Sequence, residues 1–249
     1  MLALAAACAT ALAADTSQPN PAPMRVPLFR EAPTIDGRID PEEWRGAHAF
    51  EGFKKMGDHR LEHRRVRGWV GATADTIYLA IQSQLPDEGN LRAAFDRDTL
   101  HVVSDDSIEI YLNPTPDQPD NVDYQMLVNS KGFGGYHLHT LGNPGQDVSW
   151  RGDWTQAHGI HDGWWHAEIA IPIKSMDTVK AGRRTTDGVW AINLCRNWAS
   201  HQWSSLSGGT AAYAQSGLWF AFTDEPAPVS PSGRTRPSIR PEALASGWP

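Results

Sequence analysis

About eleven short runs of strand-forming residues, each closed by Gly, Pro, Asn or Asp, constrain this chain more than any other feature. The runs are Arg25–Phe29, His48–Phe53, Arg65–Ala72, Thr76–Gln82, Ser107–Leu112, Asp123–Asn129, Phe133–Leu138, Trp154–Ile160, Trp164–Ile171, Val189–Arg196 and Leu218–Phe222. No stretch sustains the 3.6-residue apolar period of a long helix. Helical turns are expected only at Pro41–Trp44, where Asp40 is the N-cap candidate, and at Leu91–Phe95 and Lys174–Met176. The fold class that follows is all-β, an antiparallel β-sandwich of jelly-roll type. The clearest strand lies between Ser104 and Pro114: Ile108, Ile110 and Leu112 share one face, while Ser107, Glu109 and Tyr111 share the other. A sheet with an apolar back and a polar, carboxylate-bearing front can display ligands on that front.

The 249 residues divide into four parts. Residues 1–14 are apolar and uncharged and end in Ala11-Leu-Ala13, the pattern of a secretory signal without its basic start. They are too few to span a bilayer. The rival reading is a lipoprotein, lipidated at Cys8 after Ala5-Ala-Ala7, and only that would tie the chain to a membrane. Either way the expected destination is secreted or periplasmic. With the signal removed, Cys195 is the sole cysteine and no intramolecular disulfide can form. Residues 15–24 read as a linker, 25–224 as the sandwich, and 225–249 as a disordered Pro-rich tail.

A net charge of −7 and the lack of a long basic run argue against nucleic acid as partner. The nearest such run, His63-Arg-Arg-Val-Arg67, reads as one solvent-facing strand edge. Eleven Trp exceed both the seven Phe and the five Tyr, and flat Trp rings serve either a core or the C–H face of a sugar. Trp165 and Trp190 fall in apolar strands and read as core, whereas Trp198 and Trp203 fall in a polar loop, Asn197 to Gly209, and are the stacking candidates. Glu109 on the polar front, with Gln125 and Asn129 on the next strand, supplies acceptors and donors for a polyol. Solvated polar strand residues would look the same. Asn193 sits inside an apolar run and reads equally as a structural amide. Arg196 closes that strand and could fork onto adjacent hydroxyls.

Six motifs in order carry a family resemblance. Ile35-Asp-Gly-Arg-Ile-Asp-Pro-Glu-Glu-Trp44 resembles the opening of carbohydrate-binding module family 9. Thr73 to Ala80, Asp105 to Leu112, Trp150 to Trp154, Gly163 to Pro172 and Trp190 to Asn197 are similar to its later motifs, so the likeness spans about Pro33 to Phe222. The resemblance implies an antiparallel β-sandwich related to DOMON domains. It also implies non-catalytic binding of plant-polysaccharide sugars or chain ends, often beside a glycoside hydrolase and often with structural calcium. Arg196 matches that family's C-R-N strand. The family clamps its sugar between two aromatic rings, and here the first position lies in Leu100-His-Val-Val-Ser104, without an aromatic. At the second, Trp203-Ser-Ser-Leu-Ser207 puts Leu206 where the ring belongs, leaving Trp203 or Trp198 to substitute.

Other chemistries fare less well. Asp105 and Glu109 lie about 13 Å apart along a strand, too far for a glycosidase pair, which needs about 5–9.5 Å. Nucleophile-elbow, zincin and P-loop motifs are all missing from the sequence. Oxygen ligands for a structural calcium would be Asp36, Asp40, Asp105 and Asp106, mostly on the strength of the resemblance. His137-Leu-His139 and the group His158, His161 and His166 read as surface histidines rather than metal ligands. Some DOMON relatives bind haem, for which Met126 and His137 are the axial candidates, although no haem-attachment motif exists. A scaffolding domain of a larger secreted protein, binding nothing, is the remaining alternative.

Overall fold

The structure, a computed structural model, describes residues 21–57, 60–140, 143–147, 149–199, 202–208, 214 and 217–225. The signal segment with Cys8 and nearly all of the Pro-rich tail lie outside them. Fourteen strands form two sheets. In chain order they are β1 (Met24–Pro27), β2 (His48–Glu51), β3 (Lys54–Lys55), β4 (Val66–Ala72), β5 (Thr76–Gln84), β6 (Ser107–Asn113) and β7 (Val122–Asn129). They continue as β8 (Tyr136–Thr140), β9 (Asn143–Asp147), β10 (Thr155–His161), β11 (Trp164–Pro172), β12 (Trp190–Trp198), β13 (Gln202–Ser205) and β14 (Leu218–Thr223).

The first sheet runs β1-β14-β12-β6-β7-β8-β9, with β13 and β3 extending from β12; the second runs β10-β11-β5-β4-β2. All pairs are antiparallel except β1 with β14. Period-two alternation fixes which side chains the sheets bury between them. Ile108, Ile110, Leu112, Tyr124, Met126, Val128, Ile192 and Leu194 from the first sheet meet Ile77, Leu79, Ile81, Trp165, Ile169 and Ile171 from the second. Each such side chain contributes about 1.5–3 kcal/mol on burial, and no disulfide is needed: the described cysteine, Cys195, is a buried free thiol.

All eleven expected strands are present, with ends shifted by a few residues. β3, β9 and β13 are additions. Pro41–Trp44 turns as expected, and the Asp40 carboxylate accepts from Glu42 N at 2.8 Å. A 3-10 turn covers Ile173–Ser175, but Leu91–Phe95 is not helical. Its amides point elsewhere: Arg92 N donates to Asp106, and Ala94 N and Phe95 N donate to Asp105.

The outer face of the second sheet is partly roofed by the N-terminal segment. Trp44, Phe29, Ile35 and Ile39 pack on Tyr78 and Ala80. The fully buried Glu168 on β11 anchors this roof, accepting from Gly37 N (2.9 Å), Asp36 N (3.2 Å) and Trp44 Nε1 (2.9 Å). On the outer face of the first sheet, Ala214 and Met56 pack against Tyr111, Ala191, Cys195 and Trp219.

Candidate functional site

The outer face of the first sheet is built from the polar positions of β6, β7, β12 and β13. Register sets its side chains in rows: Trp203, Asn197, Ser107 and Asn129; then Ser205, Cys195, Glu109 and Leu127; then Asn193, Tyr111, Gln125 and His137. Three protein donors converge on Glu109: Asn197 Nδ2 on Oε1 at 2.7 Å, and Tyr111 Oη (2.9 Å) and Gln125 Nε2 (2.5 Å) on Oε2. Glu109 and Gln125 keep only 7% and 6% of their surface exposed, so they form the floor of the face rather than its rim.

Trp203 stands at the edge of this floor and is 52% exposed. It lies across the β12–β13 ladder from Asn197. Asn197 donates to Ser107 Oγ (3.0 Å) as well as to Glu109, yet its own carbonyl Oδ1 is buried without a partner among the described residues. Such an acceptor costs about 1–3 kcal/mol until a donor reaches it. A broad apolar ring beside an unfilled acceptor and a carboxylate suits a ligand with one C–H face and several hydroxyls.

Five of the expected residues lie on this face: Glu109, Gln125, Asn129, Asn193 and Trp203. Asn193 donates to Ser207 Oγ at 3.0 Å. Asn129 shares the face, but its amide is used locally, donating to Phe95 O and Asp105 and accepting from Lys131 N and Phe133 N. Arg196 and Trp198 do not reach the face, which corrects the sequence reading. The strand does not end at Arg196 but runs to Trp198, so both carry the inward parity of Ile192 and Leu194. The Arg196 guanidinium pairs with Asp106 at 2.9 Å, donates to Ser83 Oγ at 2.9 Å and lies 4.0 Å over the Trp198 ring. Burial lowers its pKa to about 10, against the pull of Asp106. It locks the sheets together inside the sandwich and cannot fork onto a ligand.

Asn197, Tyr111 and His137 also lie on this face, though the sequence reading did not place them among the sugar-binding candidates. Tyr111 was visible in the alternation of β6. Asn197 was hidden because the segment after Arg196 read as loop. Beside Glu109, across the β6–β12 ladder, lies Cys195, whose thiol is pushed well up, first by burial and then by the nearby Glu109 charge.

The carboxylates suggested for calcium are spread over the molecule and accept hydrogen bonds from the protein, the Asp40 carboxylate from Glu42 N. Asp105 and Asp106 accept from the backbone amides and side chains above, and Asp36 caps Arg38 N at 2.8 Å across the molecule's other sheet. Among the described residues no three His, Cys, Asp or Glu side chains converge. The haem candidates are separated too: Met126 faces the core and His137 the outer face, so they cannot share one iron. His166 is held in place by Ile39 N (3.2 Å) and Gln82 (3.0 Å).

No family model and no curated protein matches this sequence. The fold does match solved structures. A Bacteroides uniformis protein provisionally assigned to carbohydrate binding is similar over 81% of this chain and 97% of its own, with a TM-score of 0.61 and 14% identity. A carbohydrate-binding module of family 9 from Caldicellulosiruptor kristjanssonii, in complex with glucose, is similar over 84% of this chain and all of its own, with a TM-score of 0.54 and 14% identity. The same module in complex with cellotriose gives a TM-score of 0.53 at 15% identity over 84% of this chain.

Proposed function

We propose that this chain is a non-catalytic carbohydrate-binding domain whose ligand lies on the outer face of the first sheet. The observation that carries this reading is the row Trp203–Asn197, an exposed ring beside a buried acceptor that no group among the described residues fills. A pyranose ring stacks on the exposed Trp203, and its hydroxyls meet the polar row beside that ring, where Asn197 and Glu109 lie. The same fold holds glucose and cellotriose in a family 9 module, which favours glucose-type sugars or chain ends of plant polysaccharides. Glu109 acts as wall rather than acid, since three protein donors already occupy its oxygens. Export to the periplasm or beyond, and service beside a glycoside hydrolase, complete the proposal.

One platform ring implies weak binding. Leu206, at the position of a second ring, packs against the core. Dissociation constants between micromolar and millimolar are expected, because ordering and desolvation offset most of the contact energy. Titration calorimetry with glucose, cello- and xylo-oligosaccharides should give heat, and Trp203→Ala should weaken binding roughly tenfold or more. Absence of heat with every sugar would leave the scaffolding reading in its place.

A further inference from the structure

The basic run between His63 and Arg67 takes no part in the site above, and the fold gives it an arrangement of its own. On the outer face of the second sheet, the guanidiniums of Arg65 and Arg67 lie 5.3 and 4.9 Å from the centre of one ring, Trp164. Among the described residues neither forms an ion pair, whereas the adjacent Arg64 pairs with Asp87 at 3.5 Å and His63 with Glu62 at 2.7 Å. Arg67 Nε is buried with no acceptor among the described residues. Its pKa is lowered by burial and then by the like charge of Arg65, with Glu51 opposing. Two cations held on one ring, one with an unfilled donor, are stabilised by an anion. Gln82 and Gln84 lie on the neighbouring strand of the same face.

We infer that Arg65, Arg67 and Trp164 form a second site, separate from the Trp203 face, that receives the carboxylate of an acidic sugar such as a uronic acid. The ring fixes both guanidiniums, which then donate to the carboxylate oxygens, while the amide nitrogen of Gln84, beside Arg65 on the neighbouring strand, is offered to the sugar hydroxyls. A polyanion such as nucleic acid fits less well, because the patch holds two unpaired cations on a chain of net charge −7.

The test is titration of the full chain with trigalacturonate, its methyl ester and cellotriose at low salt, followed by the Trp164 indole resonance. Trigalacturonate should shift that resonance and bind at least tenfold more tightly than its ester at the same site. Arg65→Gln/Arg67→Gln should remove the preference, Glu51→Gln should strengthen it, and Trp203→Ala should leave it unchanged. Equal binding of acid and ester, or an unchanged preference in the double variant, overturns the inference. So does loss of the preference in Trp203→Ala, because one site would then serve both ligands. Failure of cellotriose to bind would bear on the Trp203 face alone.

Discussion

At the scale of single residues, parity decides which side chains can work. Arg196 and Asn197 are neighbours, yet one is sealed between Trp165 and Trp198 and the other presents its amide to Glu109. A one-residue step along a strand exchanges core for site. Cys195 has the same parity as Asn197 and lies beside Glu109, buried in a cluster with Tyr111, Ala191, Ala214 and Trp219. A buried, protonated thiol is a poor nucleophile. Native protein lacking residues 1–14, and with them Cys8, should therefore resist an aromatic disulfide reagent at pH 8 and react fully once denatured; rapid reaction of that native protein would place Cys195 elsewhere. The residue types of Glu109, Gln125 and Trp203 were legible in the sequence because their alternation or their polar surroundings marked them. The inward turn of Arg196 was not, since a charged residue at the end of an apolar run normally signals the strand's exit into solvent.

At the scale of elements, the N-terminal roof and the β12–β13 hairpin carry the fold's particular character. The long strands were legible because each holds several apolar residues at period two. β13 was not, because Gln202–Ser205 has a single apolar residue and gains its strand form from pairing with β12. The roof depends on Gly37, which adopts φ +90° to bring its amide to Glu168. A Cβ there would lie 2.7 Å from the His158 carbonyl carbon. Gly37→Ala should lower stability by roughly 1–3 kcal/mol, through backbone strain and steric clash together. Denaturant unfolding measures this directly, and a change below about 0.5 kcal/mol would show that the turn is not rigidly held.

At the scale of the whole molecule, two sheets place two unlike faces on opposite sides of one core. Burial also ties stability to pH. His158 and His166 are held down to about 4, chiefly by burial, against 6.5 in an open chain. Their folded forms bind protons later than the unfolded chain does, so their contribution is complete above pH 6.5 and is lost as pH falls toward 4. Glu168 and Asp123 are raised by burial and act in the opposite sense, strengthening the fold as pH falls through their own range. The melting temperature should therefore drop between pH 6.5 and 5, and His166→Gln should flatten that slope. Ring resonances of both histidines titrating near 6.5 would contradict the burial that the fold assigns them.

The central claim is the location of sugar binding, and the most direct measurement is an NMR titration with cellotriose that follows the side-chain amide and indole signals. The account predicts shifts at the Trp203 indole and at the Asn197 and Gln125 amides, with the Trp164 and Trp190 indoles unmoved. Shifts confined to the second sheet, or none at saturating sugar, would contradict it.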